Sequence, residues 1–505
     1  MSRRGRGHGP AGAASRRRGH VPRYRRPAGS GAWPRLCRVL GPVRRAGQRH
    51  QRTTGWRRRG VVEAGDRQGL PDDRGSALRR TWYGGLHRLD WPDGRHRSGG
   101  DRPRRRPGLG QPGPVPPSRC PGEETTRQTG IIPLIGNLAA AVPIVNLVLT
   151  VVNTRRFTDL AADADPVVGA VWVCVPARDE AERIADLVDD LKVQHAIADL
   201  RVLICDDDSA DGTAEVAVAA AADDPRFTVV RNQQPPPAGW TGKNHALDLL
   251  TAQITDGTLV FVDADVRLGP AALHRAIGTL ARSGGGLLTV WPSQQAGSLL
   301  EYLVQPLLSW SWLSSVPLAI SERLLPRSMA VANGQFLVTS LDDYRRAGGH
   351  SAVRATITED LALARRYRSA GMSSAIRSGR GVVWCRMYEG AADTWGGYRR
   401  WLSTEFGSPA GASIVALVAG AVYVLPVVHL VRGRRRPRAL LTLTAASASR
   451  MVARHAETGA LSPVEIVSAV AHPVSTALAV AAVGDSLRAR RRGTLDWKGR
   501  GLTPR

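Results

Sequence analysis

Two aspartates one residue apart, Asp263 and Asp265, close the short apolar run Thr258-Leu-Val-Phe-Val. That run is rich in β-branched and aromatic side chains and reads as a buried strand. A carboxylate left unpaired at such a strand end costs on the order of several kcal/mol. A hard divalent cation, Mg²⁺ or Mn²⁺, neutralises the pair through oxygen ligands and leaves room for phosphate oxygens. The pattern recurs: Asp179-Glu180 follows one apolar run and Asp206-Asp207-Asp208 another. Lys243, just after Gly242, opens a helical stretch, where a cation beside free backbone N–H groups suits an anion. Glu359 and Asp360 stand at the start of helical Leu361-Ala-Leu-Ala-Arg. A carboxylate there either takes a proton from a reacting hydroxyl or complements the helix end, and Glu359 fits the second role better.

Alternating elements over residues 168–290 must position these groups. Strands are expected at 171–175, 202–205, 227–230, 258–263 and 287–291. Ile184, Leu187, Val188 and Leu191 fall on one helical face, and further helices are expected at 213–221 and 243–252. Strands separated by such helices form a parallel sheet with helices on both faces. Ligands of these sheets lie beyond the carboxyl ends of the strands. Three strands thus deliver carboxylates to one rim. Cys174 and Cys205 sit inside apolar runs and read as core thiols of a reducing compartment.

The charge of +27 is uneven, since residues 1–130 hold 31 arginines against nine acids. Residues 1–129, rich in Arg, Gly and Pro, bury too little to fold and are expected to be disordered. A basic arm for nucleic acid or anionic lipid is one reading. An extension translated from a misplaced start is the stronger one. Residues 131–153 are apolar for about the length that spans a bilayer, and Arg155 and Arg156 place the next domain in the cytoplasm. Residues 410–485 read as a C-terminal transmembrane region, with clear apolar stretches at 410–431 and 464–483, and 486–505 as a basic tail. Loop 432–438 and residues 488–492, both Arg-rich, cannot both be cytoplasmic if single crossings simply alternate. Residues 298–318, with Trp310 and Trp312, suit either a bilayer-surface segment or a buried helix.

Cys205-Asp-Asp-Asp-Ser-Ala-Asp-Gly-Thr213, Asp263-Ala-Asp265 and Thr358-Glu-Asp360 resemble, in order and spacing, the signatures of family 2 glycosyltransferases. Gly239-Trp-Thr-Gly-Lys-Asn-His-Ala246, Asn333-Gly-Gln-Phe336, Gly348-Gly-His350, Met387-Tyr388, His472-Pro473 and Trp497-Lys-Gly-Arg500 look like its membrane-bound branch that modifies carotenoids or hopanoids. The resemblance implies an α/β cytosolic domain at 168–406 with the GT-A fold, Rossmann-like with a mostly parallel sheet, flanked by transmembrane helices. It implies Asp263 and Asp265 on Mg²⁺ or Mn²⁺. Pro176, Asp179, Glu180, Asp207, Lys243 and Asp263 would lie on the nucleotide-sugar, Asp360 would be the base of an inverting transfer, and His350, Arg400 and Trp401 would meet the acceptor or diphosphate. Asp206 and Asp211 serve equally as turn and helix-cap groups.

One family motif is only half present, because Gly397-Tyr-Arg-Arg400-Trp401 has Gly where Gln is usual. That favours addition of one sugar, and the resemblance implies a UDP-sugar donor and a lipid acceptor such as a carotenoid or hopanoid. A processive polysaccharide synthase is the alternative, and a basic nucleic-acid or anionic-lipid binding protein the second. For the enzyme the expected partners are a nucleotide-sugar, a lipid acceptor and the cell membrane, crossed more than once, without nucleic acid.

Overall fold

The computed structural model describes residues 131–501 except Gly407, Arg435 and Gly499, with side chains from residue 141 on. The reading of residues 1–129 as a disordered extension lies outside the described residues.

Helix α1 (Ile131–Thr154) leads into alternating elements. These are β1 (Val167–Ala177), α2 (Ile184–Lys192), β2 (Ile197–Asp206), α3 (Thr213–Ala221), β3 (Phe227–Arg231), α4 (Gly242–Thr251), β4 (Thr258–Val262), β5 (Val266–Leu268), α5 (Ala272–Arg282), β6 (Leu287–Trp291) and β7 (Ser293–Gln294). All the strands and helices expected over 168–290 form. Ile184, Leu187, Val188 and Leu191 are fully buried, as their spacing requires.

Three short helices come next, α6 (Leu299–Val304), α7 (Leu307–Leu313) and α8 (Leu318–Leu324). The domain closes with β8 (Phe336–Ser340), α9 (Leu341–Ala347), α10 (Glu359–Ser369), β9 (Ser374–Ser378) and β10 (Val383–Cys385). The main sheet has seven strands in the order β3-β2-β1-β4-β8-β6-β9. It is mixed, because β8 runs antiparallel to both β4 and β6 while the other ladders are parallel. The reversal matters for the site. The start of β8 meets the end of β4, and Asp263 N–H donates to the Gln335 carbonyl at 3.1 Å. A small second sheet, β5-β10-β7, braces the segment just after Asp265. Apolar clusters cover both faces of the main sheet, with Cys174 and Cys205 buried among them.

The remaining helices are α11 (Gly390–Glu405), α12 (Pro409–Ala419), α13 (Leu425–Val431), α14 (Arg436–Thr458), α15 (Pro463–Val470) and α16 (His472–Arg492), before a hairpin of β11 (Asp496–Trp497) and β12 (Arg500–Gly501). A π turn, Gly420–Val424, joins α12 to α13, and the segment Pro409–Val431 is long and apolar enough to cross a membrane. Two bent pairs, α6–α7 with α8 and α15 with α16, reach that standard only if each counts as one span; their bends are 55° and 70°. The apolar stretch at 464–483 is therefore bent, between Val470 and His472, with Pro473 in the first turn of α16. Helix α14 turns polar side chains toward the protein interior. Arg450 faces inward, 1% exposed, and donates to the carbonyls of Tyr302 and Leu303 and to the hydroxyls of Ser468 and Ser475. Apolar side chains on the outer faces, among them Val145, Val148, Leu417 and Val467, stay exposed.

Candidate active site

The rim where β1, β4 and β8 meet is lined by charge. Thr241 caps α4, its hydroxyl accepting from Asn244 N–H at 3.3 Å, and the helix start carries Lys243 toward β4. The Lys243 ammonium pairs with Asp263 at 2.8 Å and with Glu359 at 2.8 Å. Burial disfavours the ammonium, yet those two carboxylates hold its pKa above the ordinary value. Gly334 keeps this pair close, because a Cβ would stand 2.9 Å from the Glu359 carboxylate and 3.1 Å from the Lys243 ammonium, and both would have to shift. Asp360 sits at the start of α10. Its two oxygens accept from Gly334 N–H and Leu361 N–H, both at 2.7 Å, so backbone on two sides fixes the carboxylate.

Asp265 is different. Among the described residues it forms no ion pair, and its Oδ1 is buried without a hydrogen-bond partner. Burial, then the charges of Asp263 and Glu180, push its pKa up to about 7. Glu180 itself is held by Arg183 at 3.2 Å and by Lys498. The residues present therefore fit a cation. Asp263 and Asp265 offer hard oxygens, one of them unpartnered, in a place where negative charge is in excess. Among the described residues no group of three or more His, Cys, Asp or Glu side chains converges as a complete metal site. Two carboxylates are what Mg²⁺ or Mn²⁺ needs when phosphate oxygens and water complete the shell.

These groups line one cavity of about 1280 Å³, together with Pro176, Arg178, Arg400 and Trp401. The same cavity continues past Trp310 to an apolar end walled by Val415, Ala416, Ala419, Tyr423, Ala479 and Val480 from α12, the π turn and α16. Of the residues singled out in the sequence, Pro176, Glu180, Lys243, Asp263, Asp265, Asp360, Arg400 and Trp401 meet in this cavity.

Three others do not line it. His350 is 1% exposed, and its Nδ1 and backbone N–H both bond the Tyr344 hydroxyl, at 2.8 and 2.9 Å. The expectation that it meets the acceptor is corrected: the ring packs edge-on against Phe261 in the core. Asp207 is also buried and accepts from Asn232 at 3.1 Å. Asp179 ties two loops together, accepting from Ala210 N–H at 2.8 Å while its own N–H donates to Ser209 at 2.9 Å. Asp211 does similar work for Thr213 and Ala181. Asp207 and Asp179 shape the rim from behind rather than from inside the cavity.

Helix-end charge favours Glu359 as the acid on the backbone, whereas Glu359 holds Lys243 and Asp360 is the one bonded to backbone N–H groups, one at the helix start and one of loop residue Gly334. Both acids occupy a first turn, so spacing could not separate them. Gln335 stands in the Asn333-Gly-Gln-Phe336 motif, but nothing in the sequence pointed to its bond with buried Cys385, and Cys385 carried no signal beyond its apolar neighbours. Gly397 gains a cause for its identity, because a Cβ there would overlap the Tyr388 ring. Tyr388 fills the space that a longer side chain would need.

Residues 172–337 match the model of glycosyl transferase family 2. The match covers about a third of the chain, which therefore carries a region of the family 2 glycosyltransferase type. Within that family it is distantly similar to 4,4'-diaponeurosporenoate glycosyltransferase of Staphylococcus aureus strain USA300, with 29% identity over 253 residues, 49% of this chain and 65% of that protein. The chain thus spans just under two thirds of the relative it matches. Among solved structures, a mannosyltransferase of Pyrobaculum calidifontis in complex with GDP-Man and Mn²⁺ overlays with a TM-score of 0.42 at 18% identity, covering 69% of this chain and 98% of that one. Glucosyl-3-phosphoglycerate synthase of Mycobacterium tuberculosis, with Mn²⁺, UDP and glucosyl-3-phosphoglycerate, overlays at 0.31 and 21% identity, covering 45% and 75%.

Proposed function

We propose that the enzyme moves one sugar from a nucleotide-sugar, a UDP-sugar by the resemblance of its motifs, to a lipid acceptor of the carotenoid or hopanoid kind, with inversion. The observation that carries this reading is the two-ended cavity. Charged groups gather at one end and side chains of the apolar helices wall the other. A donor diphosphate suits the charged end, and a long apolar acceptor suits the rest.

Asp263 and Asp265 would hold Mg²⁺ or Mn²⁺, which when bound offsets the charge developing on the departing diphosphate. Lys243, braced by Asp263 and Glu359, adds a fixed cation beside the same group. Asp360 takes the proton of the attacking acceptor hydroxyl, its carboxylate aimed by Gly334 and Leu361. The new bond forms at the anomeric carbon as the nucleoside diphosphate leaves with the old one. Arg400 and Trp401 border the path between the two ends. The domain at 168–406 works on the cytoplasmic face, held to the membrane by 131–153 and by 410–485. The Tyr388 ring against Gly397 supports single transfer over chain growth.

Membranes containing the wild-type chain should consume nucleotide-sugar only with Mg²⁺ or Mn²⁺ present and yield a lipid heavier by one sugar on mass spectrometry. Asp265→Asn should lower transfer about 100-fold or more. Full activity in that variant removes the assignment, and a ladder of polymer masses would favour a processive synthase instead.

A further inference from the structure

Beneath Asp265 lies a chain of buried polar groups that the transfer reaction does not itself use. The Cys385 thiol, fully buried at the end of β10, lies beside Asp265, because Cys385 pairs across the small sheet with Val266. Gln335 Nε2 donates to Cys385 Sγ at 2.8 Å, and Gln294 Nε2 donates to Gln335 Oε1 at 2.7 Å. The backbone of Gln294 is then clasped by α14. Its N–H donates to Glu457 at 2.9 Å, and its carbonyl accepts from Arg454 at 2.8 Å. Arg454 bonds Glu457 at 2.9 Å and Glu465 at 2.6 Å, closing the far end. Every member of this relay is at least nine-tenths buried apart from Asp265, which faces the cavity, and Glu465 at the far end.

The backbone takes the same path. Cys385 pairs with Val266, the residue after Asp265, on one side of β10 and with Gln294 on the other. Two routes, one of side chains and one of strands, thus join the candidate metal carboxylate to a helix of the apolar layer.

Such an arrangement is costly unless it fixes something. Each amide and thiol here gives up water for a single directed partner. What it fixes is Asp265, a cavity-lining carboxylate whose Oδ1 is buried and without a hydrogen-bond partner. Buried support beneath a carboxylate limits the rotation of its side chain, so Asp265 keeps one orientation in the cavity it lines. Groups that orient a metal-binding side chain in this way commonly change metal affinity 10- to 100-fold when removed.

We propose that Cys385 and Gln335 are positioning residues for divalent-cation binding by Asp265, and that α14, through Glu457 and Arg454, anchors the relay. This role rests on the reading of Asp263 and Asp265 as metal ligands. The seating of α14 against the catalytic sheet thereby sets the geometry of the cation site.

The test is Mn²⁺ binding to the purified full chain with saturating uridine diphosphate, read by the paramagnetic resonance signal of free Mn²⁺. The dissociation constant should rise about tenfold or more in Cys385→Ala and in Gln335→Met. It should rise at least about threefold in Glu457→Gln, which keeps shape but loses the charge. Cys385→Ser keeps a donor and should recover most of the affinity. Thermal melting checks that each variant is folded; should Cys385→Ala fail that check, Gln335→Met and the serine variant still decide. If wild type binds no Mn²⁺, the metal reading itself falls. If wild type binds and Cys385→Ala or Gln335→Met binds within twofold of it, the positioning role is overturned. If only Glu457→Gln matches wild type, the link to α14 is overturned.

Discussion

His350 is a residue type that often does chemistry, here taken up by packing. The Tyr344 hydroxyl accepts from its backbone N–H and lies against its Nδ1, while Phe261 covers the ring. Burial, then the nearby Lys243 charge, lowers its pKa to about 3, so the folded protein holds it neutral. The unfolded chain protonates it near pH 6.5. Below that pH the unfolded state binds one more proton than the folded one, and stability falls as pH falls, by about 1.4 kcal/mol per unit down to the folded pKa. Melting between pH 6.5 and 5 should show this slope, and His350→Gln should be flatter by the same amount. Equal slopes would mean that the ring titrates in the fold. Gly334 makes a second residue-scale prediction. Gly334→Ala puts a methyl against Glu359 and Lys243, which must separate. Donor KM should rise about tenfold or more while melting changes by under about 2 kcal/mol, since the cluster is at a rim rather than in the core.

Among elements, β8 decides the most. Its reversed direction puts Gln335 beside Asp263 and Gly334 beside Asp360, so the residues leading into a strand between two others supply backbone partners to the site. This was not legible in the sequence. Runs of β-branched residues marked β1, β2, β3, β4 and β6 correctly, but direction is set by the connection, and the one before β8 runs through three short helices. Nor could β5, β7 and β10 be read, since two or three residues have no period. The carboxylates at strand ends were legible because their chemistry needs that place. Which of Glu359 and Asp360 meets Lys243 was not, because a helix start presents both. Helix α11 bears a prediction of its own. Trp395, Tyr398 and Trp401 recur at helical spacing along it, and they face inward: Tyr398 is buried and Trp395 donates to Asp485 on α16 at 3.0 Å. Gly397, on the same helix, touches Tyr388. Gly397→Gln should therefore destabilise by about 1–3 kcal/mol through overpacking, and Tyr388→Ala in the same chain should cost less than the two changes summed. Strict additivity in melting experiments would refute that contact.

At the scale of the whole molecule, the cavity walls change character along their length. The charged end belongs to the sheet, and the apolar end belongs to α12, the π turn and α16. Small side chains, Ala416 and Ala419 on one helix and Ala479 on another, keep those helices' facing sides open. A large ring placed there fills the space without touching any group at the charged rim. Ala479→Trp should thus leave nucleoside-diphosphate binding within about twofold of wild type, and should lower transfer to a long lipid acceptor about 30-fold or more, since an indole removes most of the room a chain would use. A short water-soluble alcohol offered as acceptor needs no such room, and its transfer should be little changed. The two acceptors measured side by side separate a blocked channel from a damaged fold, because damage would lower both. Equal loss for both acceptors, or none for the lipid, would mean that the apolar end does not hold the acceptor, and the lipid half of the proposed function would go with it.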